Sequence, residues 1–511
     1  MFMEQRKLYI IGMDAAPLWI IRDFYKEYRM DGFAELLSKG VLTEMESTMP
    51  PMTGPSWPSI YTGFRPGAHG VPEFFKMEPN YTKSVVYYDT SIKAPFWTKL
   101  SRRGFRSLIV TPAMLVKQES DPNVDMMTGF PLPARFSSNR LKEVAEKYSF
   151  AGEPEVERGL KSGELTLEEA SHGYLKGTKA RSEVSKELIE KNDYDLAFIC
   201  FTEQDRMQHY ALNKARWKDY ILPMYKEVAD FIEWVERRAK KEGATVMLVS
   251  DHGAQPIKRK FLMNGWLINK GYAQPKKLIE EGIKQVGSGK SSIKYDLRET
   301  LLKSGLRKRV YDKLPSSGKK LVKTAIEKTL SGTSSGDYTR LHDFDYDMGK
   351  TRAFASIANC PMTTIFVNDD RFDDGIVSAD EKKALKKELM SNLLGIKDAN
   401  GDKLIVNVYD ADDYYEGTKL FIAPDIMAEI KPGYIIDAFG YLKSGGLFMD
   451  PEPPKSGDHL RNGIFGAISY GKGLDYAGIK KKKLYVYNVE PTVMRYFGLK
   501  PDNDRRYGPI F

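Results

Sequence analysis

The stretch Thr245-Val246-Met247-Leu248-Val249-Ser250-Asp251-His252-Gly253 decides the fold class of this chain. It opens with a β-branched and apolar run that is typical of a buried strand. An acidic residue, a histidine and a glycine follow, and the glycine permits a sharp turn. Asp251 and His252 are therefore predicted to lie at the carboxyl end of a strand, where both could bind one metal ion. The alternative interpretation is a plain turn after the strand.

Comparable apolar strands occur throughout the first half of the chain. They are predicted at 8–13, 107–111, 195–201 and 245–250. Helical patterns are predicted at 31–38, 177–191 and 217–241. Continuous apolar strands that alternate with helices predict an α/β fold, with a mostly parallel central sheet and helices on both of its faces.

The second half of the chain changes pattern and then returns to it. Strand-like sequence at 351–365 and 404–408 surrounds a helical pattern at 379–394, which predicts an inserted α+β cap. A strand at 463–468 and a helix at 490–497 resemble the first half again. In chain order, the predicted organisation is the first part of the core (1–272), a basic helical insertion (273–350), an α+β cap (351–450) and the second part of the core (451–511).

The composition is that of a globular chain with a sizeable core. It has 511 residues, of which 41% are hydrophobic and 12% aromatic. Two cysteines, Cys200 and Cys360, cannot form a disulfide framework, and this usage fits a reducing compartment. No run approaches the roughly twenty apolar residues of a membrane span. We therefore expect a cytoplasmic protein.

The positive charge of the chain is concentrated in one segment. Residues 271–330 contain fifteen Lys/Arg and six Asp/Glu, a net charge of +9 that equals the formal net charge of the whole chain. Such a segment is most simply a solvated helical face. Alternatively, it attracts an anionic substrate or makes peripheral contact with an anionic membrane surface. Nucleic-acid binding is not expected, because no aromatic residues interleave the basic ones.

Other polar residues follow the predicted strand ends or lie in glycine-rich loops, as Asp251 and His252 do. Asp14 follows the first strand, Asp205 and His209 follow the third, and His459 lies in a late loop. Asp205 and His209 are four residues apart and would share one face of a helix. Each has a structural alternative. Asp14 could cap a helix, the Asp205–His209 pair could be a surface ion pair, and His459 could be an ordinary loop histidine. Together they favour a metal site that activates a hydroxyl nucleophile.

Thr53 is the candidate nucleophile, within Thr48-Met49-Pro50-Pro51-Met52-Thr53-Gly54-Pro55-Ser56-Trp57. A bound divalent metal would lower the pKa of its hydroxyl, and a helix starting there would offer backbone N–H groups to phosphate. An N-cap role for Thr53 is compatible with this. Its rivals in the same region are Thr48, Ser56 and Ser59. Two residues further along are interpreted as fold determinants rather than catalysts: Arg65 and His69.

These motifs, in this order, resemble the alkaline phosphatase superfamily, specifically its type I phosphodiesterase/nucleotide pyrophosphatase branch. The resemblance extends over nearly the whole chain. Its motifs are Ile10-Ile11-Gly12-Met13-Asp14, Met49-Pro50-Pro51-Met52-Thr53-Gly54-Pro55-Ser56-Trp57, Thr202-Glu203-Gln204-Asp205-Arg206-Met207-Gln208-His209, Ser250-Asp251-His252-Gly253 and Gly457-Asp458-His459.

The resemblance implies an alkaline phosphatase-like fold and a site with two divalent metal ions, which we expect to be Zn²⁺, with Mn²⁺ or another divalent ion as the alternative. It implies that Thr53 attacks phosphorus and forms a phospho-threonine intermediate. Ser56 stands where better-studied relatives have an asparagine that binds a phosphate oxygen. The implied ligands of one ion are Asp205, His209 and His459. Those of the other are Asp14, Thr53, Asp251 and His252.

The predicted function is that of a metal-dependent phosphoric ester hydrolase, a phosphodiesterase or nucleotide pyrophosphatase acting on a small anionic phosphoester. The first alternative is a phosphomonoesterase, or another phosphoryl or phosphonyl transferase, at the same site. The second is a non-catalytic protein that binds anions or a lipid surface. Gly54 replaces the aromatic residue of the better-studied relatives, and Pro55 stands where phosphomonoesterases have an arginine that binds the phosphate dianion.

Overall fold

A computed structural model of the chain describes ten segments. These are 7–115, 120–130, 133–150, 154–275, 346–357, 360–438, 447–451, 455–471, 473–501 and 506–511. Most of the predicted basic insertion, and with it the basic segment from residue 276 onward, lies outside the described residues.

The strands are named in chain order. They are β1 (Leu8–Met13), β2 (Val41–Glu46), β3 (Phe75–Met77), β4 (Lys83–Val85), β5 (Ser107–Val110), β6 (Val124–Met127), β7 (Leu196–Phe201), β8 (Thr245–Val249), β9 (Gly253–Pro256), β10 (Arg259–Leu262), β11 (Ala353–Ala355), β12 (Met362–Val367), β13 (Ile405–Asp410), β14 (Ile426–Ile430), β15 (Tyr434–Asp437), β16 (Phe448–Met449), β17 (Gly457–Leu460) and β18 (Asn462–Ser469).

The α-helices are named in the same way. They are α1 (Leu18–Tyr28), α2 (Asp31–Ser38), α3 (Thr53–Thr62), α4 (Pro66–His69), α5 (Phe96–Ser101), α6 (Asn139–Lys147), α7 (Pro154–Ser162), α8 (Leu167–Lys191), α9 (Glu203–Ala211), α10 (Trp217–Glu242), α11 (Met263–Asn269), α12 (Ala379–Leu394), α13 (Asp412–Tyr415), α14 (Tyr476–Lys481) and α15 (Val489–Tyr496). Short 3₁₀ turns occupy Met348–Lys350 and Val486–Asn488.

A seven-stranded sheet forms the centre of the fold, in the order β2-β18-β8-β1-β7-β5-β6. The pairs β8–β1, β1–β7, β7–β5 and β5–β6 are parallel. Strand β18 runs antiparallel to both of its neighbours. Because β18 is formed by the last part of the chain, the C-terminal region completes a sheet that the N-terminal half begins.

Side chains of the central strands alternate between two hydrophobic cores, one on each face of the sheet. Tyr9 and Ile11 of β1 pack into the core that contains α1, α8 and α10. Leu8 and Ile10 of the same strand pack into the opposite core, which contains α3, α5 and α15. Burial on both faces explains why these strands are continuously apolar in sequence.

A smaller unit follows the central strands in the chain. It contains a four-stranded sheet in the order β11-β12-β14-β13, whose pairs are antiparallel, and the helix α12. A third hydrophobic core joins this unit to β10 and α11. The α/β fold with a mostly parallel sheet, helices on both faces and an α+β cap is therefore confirmed. The residue limits of the domains stay a prediction.

Several element limits differ from the sequence-based expectation. The region 351–365 was expected to be one strand-like stretch but forms two strands, β11 and β12, which pair with each other. Strand β2 was not predicted from the sequence. It lies at the edge of the sheet and mixes buried apolar residues with more exposed polar ones. Helix α8 begins ten residues earlier than expected, at a capping box formed by Thr166 and Glu169.

Among the helices that the structure describes, none has the length and apolar character needed to cross a membrane.

Glu236 is an acidic side chain buried in the face of α10 that packs toward α2. It is 2% exposed, and its Oε1 atom has no hydrogen-bond partner among the described residues. Burial first, and then the negative charge of Glu35, raises the pKa of Glu236 to about 8. The folded protein therefore binds a proton on this side chain at neutral pH, whereas the unfolded chain does not.

We predict that Glu236→Gln stabilises the fold increasingly as the pH rises from 5 to 9. Because the folded-state pKa lies above the unfolded value, the wild type loses stability as the pH rises through about 8, and the amide does not. The expected difference in the free energy of unfolding is a few kcal/mol at pH 9 and near zero at pH 4. Denaturant titrations at several pH values would measure it. The control is Asp230→Asn, at an exposed position of the same helix; equal pH profiles for both variants and wild type would refute the prediction.

Candidate active site

Three neighbouring parallel strands end at the same edge of the central sheet and present acidic groups there. Asp14 follows β1, Asp205 lies in the first turn of α9 after β7, and Asp251 follows β8. The carboxyl ends of parallel strands are where such sheets bind ligands. The carboxylates of Asp14 and Asp251 are 1% and 0% exposed, so the fold buries this charge deeply.

His459 reaches the same edge on a separate two-stranded antiparallel sheet. Strand β17 pairs antiparallel with β9, and His459 lies opposite Ala254, two residues after His252. Gly253 makes this approach possible, because a Cβ atom there would lie 2.1 Å from the backbone oxygen of Asn462. The rings of His252 and His459 have centroids 3.9 Å apart, and those of His209 and His459 are 5.1 Å apart.

Thr53 is the first residue of α3 and faces the acidic edge of the sheet. Its Oγ1 atom lies 3.4 Å from Asp14 Oδ1 and 3.2 Å from His252 Nε2. Its side chain is almost fully buried, although the residue lines a cavity. A hydroxyl at this point can pass its proton to either acceptor.

The predicted metal ligands gather into two overlapping groups. Ligand atoms within each group lie within 4.8 Å of one another. The first group is Asp205, His209 and His459. The second is Asp14, Asp205 and His252. The structure therefore brings the predicted residues together, with Asp205 between the two groups, and Asp251 contacts His252.

Each of the three histidines is oriented by a backbone carbonyl. The Nδ1 atoms lie 3.0 Å from Gly253 O for His252, 3.1 Å from Gly457 O for His209, and 2.9 Å from Pro51 O for His459. Because a carbonyl oxygen only accepts, Nδ1 must carry the ring proton in each case. The Nε2 lone pairs are thereby directed into the site, as in metal-binding histidines.

The electrostatics of the site fit a divalent cation. Burial, followed by the neighbouring carboxylates, raises the pKa of Asp14 well above its usual range. Burial likewise raises the pKa of Asp251, whose Oδ2 atom receives no hydrogen bond from the described residues. That oxygen lies 3.2 Å from His252 Nε2. A proton or a metal cation bound between these two atoms would relieve the repulsion of their lone pairs.

The lowered pKa of His459 agrees with metal binding. Burial, and then the proximity of His252 and His209, lowers the pKa of His459 well below its usual range. A metal ligand must be unprotonated, so this shift removes the competition from protons at neutral pH.

Asp251 and Asp14 are also fixed by the turn after β1. The N–H group of Ala15 donates to Asp251 Oδ1 at 3.1 Å. Ala15 has a φ of 53°, in the left-handed region that glycine adopts more easily. The strained backbone at this position aims the N–H group at the carboxylate.

A cavity of about 450 Å³ opens in front of these groups. Thr53, Asp205, His209 and His459 form its floor. The walls combine aromatic and charged residues: Phe74, Phe75, Phe130, Tyr210, Glu73, Lys83, Glu157, Lys161, Arg206, Lys455 and Asp458.

Arg206 is a cationic residue of the cavity wall, and it directly follows the predicted metal ligand Asp205 in the sequence. Its guanidinium group stacks 3.6 Å from the ring centroid of Phe130, and Nη1 donates to Glu157 Oε2 at 3.0 Å. Burial raises the pKa of Glu157, but the charges of Arg206 and Lys161 outweigh burial and lower this pKa to about 2. Glu157 therefore stays ionised and holds the guanidinium group in place. Sequence analysis missed Arg206, although its position between Asp205 and His209 was a usable signal.

The cavity wall also contains Lys83, which is buried, and Glu73, which is half-buried; the sequence revealed neither. The Nζ atom of Lys83 donates to Ser356 O at 2.6 Å. Burial lowers the pKa of Lys83 and raises that of Glu73. The backbone of Glu73 and Phe74 lies against α3, because a Cβ atom at Gly54 would come within 3.1 Å of it. The close approach of the cavity wall thus favours a glycine after Thr53.

Ser56 does not line the cavity. It is fully buried, and its hydroxyl lies 2.8 Å from Ser47 Oγ and 2.7 Å from Thr48 Oγ1. Thr48 Oγ1 also donates to Pro50 O at 2.7 Å, and Ser59, the third rival of Thr53, contacts His69 Nε2 at 2.9 Å. These hydroxyls have structural partners, whereas Thr53 faces the acidic edge.

Arg65 and His69 have structural contacts. The guanidinium group of Arg65 donates to Tyr507 Oη and to Asp413 O. His69 is fully buried, and burial lowers its pKa to about 3.

Comparison with known proteins identifies the family. The model of the family described as type I phosphodiesterase / nucleotide pyrophosphatase matches residues 8–443. The chain belongs to this family, within the alkaline phosphatase superfamily, and is by class a phosphoester hydrolase. The family depends on divalent metals, and the described residues include groups that could hold one. The predicted resemblance is confirmed. A search of curated proteins found no significant match.

Solved structures with a similar fold have little sequence identity. Phosphonoacetate hydrolase from Sinorhizobium meliloti 1021, in complex with phosphonoformate or phosphonoacetate, is 12% identical, with TM-scores of 0.54 and 0.55 over 95% of this chain and 94% of that chain. Murine ectonucleotide pyrophosphatase / phosphodiesterase 5 is 12% identical, with a TM-score of 0.46 over 97% and 96% of the respective chains. At this identity the phosphonoacetate hydrolase structures establish the fold alone.

We predict that divalent metal ions stabilise the folded protein strongly. Ligands that bind only the folded state add about 4 kcal/mol at a concentration 1,000 times the dissociation constant. Thermal unfolding of EDTA-treated protein, with and without added Zn²⁺ or Mn²⁺, would measure the shift in Tm. Asp251→Asn should shrink the shift, because it removes a charge from the cluster, whereas Asp230→Asn on α10 should not. An unchanged Tm in the wild type would contradict the prediction.

Proposed function

We propose that this protein hydrolyses small anionic phosphoric diesters, as a phosphodiesterase or nucleotide pyrophosphatase, through a phospho-threonine intermediate on Thr53. One observation carries the proposal most strongly. The Thr53 hydroxyl lies 3.4 Å from Asp14 and 3.2 Å from His252, at the floor of a cavity large enough for a small phosphoester.

Two divalent ions would be held by the two groups of ligands. We assign Asp205, His209 and His459 to one ion, and Asp14, Asp251, His252 and the oxygen of Thr53 to the other. The mixture of imidazoles and carboxylates suits Zn²⁺, with Mn²⁺ or another divalent ion as the alternative. When bound, such ions supply positive charge that lowers the pKa of the nucleophile and stabilises the leaving oxygen.

The chain's own residues position the reaction. Thr53 presents its oxygen to phosphorus, and the carboxylate of Asp14 is the acceptor within reach of its proton. The Nε2 atom of His252, 3.2 Å from the hydroxyl, is the atom that we assign to the metal. The N–H groups of Thr53 and Gly54 precede the first hydrogen bond inside α3, so they can donate to a phosphate oxygen. Pro55 has no N–H group, and the N–H of Ser56 already donates to Met52 O.

Arg206 is the side chain that we assign to the bound phosphoester, whereas the sequence resemblance implied Ser56 for this role. Its guanidinium group borders the cavity, is stacked on Phe130 and is held by Glu157. Ser56 is buried behind Thr53 and bonded to other hydroxyls, so its position favours a role in supporting the start of α3.

A phosphomonoesterase, or a phosphoryl or phosphonyl transferase, is the second candidate. The cationic wall residues Lys83, Lys161, Arg206 and Lys455 support it, because a dianionic group needs more positive charge than a diester. The third possibility, a non-catalytic protein that binds a lipid surface, rested on the basic segment, which lies outside the described residues. A cytoplasmic location and peripheral membrane contact stay predictions.

We predict that the protein hydrolyses bis-p-nitrophenyl phosphate in a chelator-sensitive manner and that Thr53→Ala lowers this activity at least about 1,000-fold. The alanine removes the attacking oxygen but leaves the carboxylates and imidazoles, so the metal content should persist. Release of p-nitrophenol and the metal content of both proteins are the measurements.

Ser59→Ala is the matched control for this experiment, because Ser59 lies in the same helix and is bonded to His69. It should keep most of its kcat. Full activity in Thr53→Ala would reassign the nucleophile, and activity that survives chelation would refute the metal site. Faster hydrolysis of p-nitrophenyl phosphate than of the diester would favour the monoesterase.

We also predict that Arg206→Met raises KM for the diester about 10- to 100-fold and changes kcat less. This corresponds to the loss of a charge-assisted hydrogen bond. Arg206→Lys should recover part of the loss, because it keeps the charge without the planar fork. The control is Arg216→Met, which removes an exposed ion pair with Asp219 outside the cavity. An unchanged KM in Arg206→Met would exclude substrate contact.

A further inference from the structure

Trp57 lies beneath the metal site, on the same helix as the nucleophile. It follows Thr53 by four residues, so both side chains lie on one face of α3. The indole is fully buried, and its Nε1 atom donates to Asp14 Oδ2 at 3.1 Å. The other oxygen of the carboxylate, Oδ1, lies 3.4 Å from Thr53 Oγ1 and 3.7 Å from His252 Nε2. The two oxygens of Asp14 therefore have different surroundings: Oδ2 accepts the hydrogen bond of the indole, and Oδ1 faces Thr53 and His252.

The indole has little freedom to leave this position. A Cβ atom at Gly12 would lie 2.8 Å from Trp57 Cη2, so β1 has no side chain where the ring passes. The ring stacks on Tyr61 at a centroid distance of 6.0 Å and meets Phe198 edge-on at the same distance. The packing holds the N–H group aimed at the carboxylate.

We propose that Trp57 is a positioning residue that fixes the rotation of the Asp14 carboxylate, so that Oδ1 is presented to the metal and to the nucleophile. The inference rests on the proposed function, in which Asp14 binds one ion. A carboxylate held by one hydrogen-bonded oxygen keeps the orientation of its other oxygen. Because the donor belongs to α3, the same helix places the nucleophile and orients the ligand. A movement of α3 would change both together.

A purely structural role for the indole is the competing explanation, and Trp97 provides the matched control. Trp97 is also fully buried and belongs to the same aromatic cluster, with its ring 4.9 Å from that of Tyr61. Its Nε1 atom finds no hydrogen-bond partner among the described residues. Trp→Phe at either position removes similar volume, but only the change at residue 57 removes a hydrogen bond to Asp14.

The test compares Trp57→Phe with Trp97→Phe by metal affinity, measured by equilibrium dialysis against buffered Zn²⁺, and by the Tm of the EDTA-treated proteins. We expect both variants to lose similar thermal stability. We expect Trp57→Phe alone to bind one of the two ions 10- to 100-fold more weakly, as changes to groups that orient metal ligands do. Equal zinc affinity in Trp57→Phe and Trp97→Phe would overturn the inference while leaving the proposed function intact. Absence of zinc binding by the wild type would overturn both.

A measurement on the wild type covers the case in which Trp57→Phe does not fold. In protein labelled with ¹⁵N at the indole nitrogens, the Trp57 N–H signal should resist exchange with solvent and shift when Zn²⁺ is added. The Trp97 signal, assigned from Trp97→Phe, should not respond to zinc. A Trp57 signal that is also unaffected by zinc would overturn the inference.

Discussion

The burial of two carboxylates next to each other is the constraint on which the site depends. Asp14 and Asp251 are almost fully excluded from water, at the ends of the adjacent strands β1 and β8. Ionised groups in such surroundings are costly unless opposite charge compensates them. The imidazole of His459 provides none, because burial lowers its pKa well below its usual range. A divalent cation is the compensation that this arrangement fits.

Both the N-terminal half and the last part of the chain contribute residues to this site. Parallel strands of the first half bring Asp14, Asp205 and Asp251 to one edge of the sheet. The last part of the chain returns as the antiparallel strand β18, and the two-stranded sheet of β9 and β17 places His459 against His252. A residue more than 200 positions away thus completes the site. Helix α3 closes it from the other side with Thr53.

The sequence predicted the central elements and the floor of the cavity well, because both have strong local signals. Apolar runs end in Asp or Asp-His pairs, and β1, β8 and α12 were predicted almost to the residue. The cavity walls were not predictable in this way. Phe130 and Lys83 reach the cavity through tertiary packing and have no motif around them. The burial of Ser56 depends on contacts with Ser47 and Thr48 that no periodicity reveals.

The central claim is that cations occupy the buried acidic edge of the sheet. Anomalous X-ray diffraction at the zinc absorption edge, from crystals grown with Zn²⁺, tests it most directly. Our account predicts two strong peaks roughly 4 Å apart. One should lie among Asp205, His209 and His459, and the other among Asp14, Asp251 and His252. Ordered density for these side chains with no anomalous peak between them, or peaks confined to the protein surface, would contradict it.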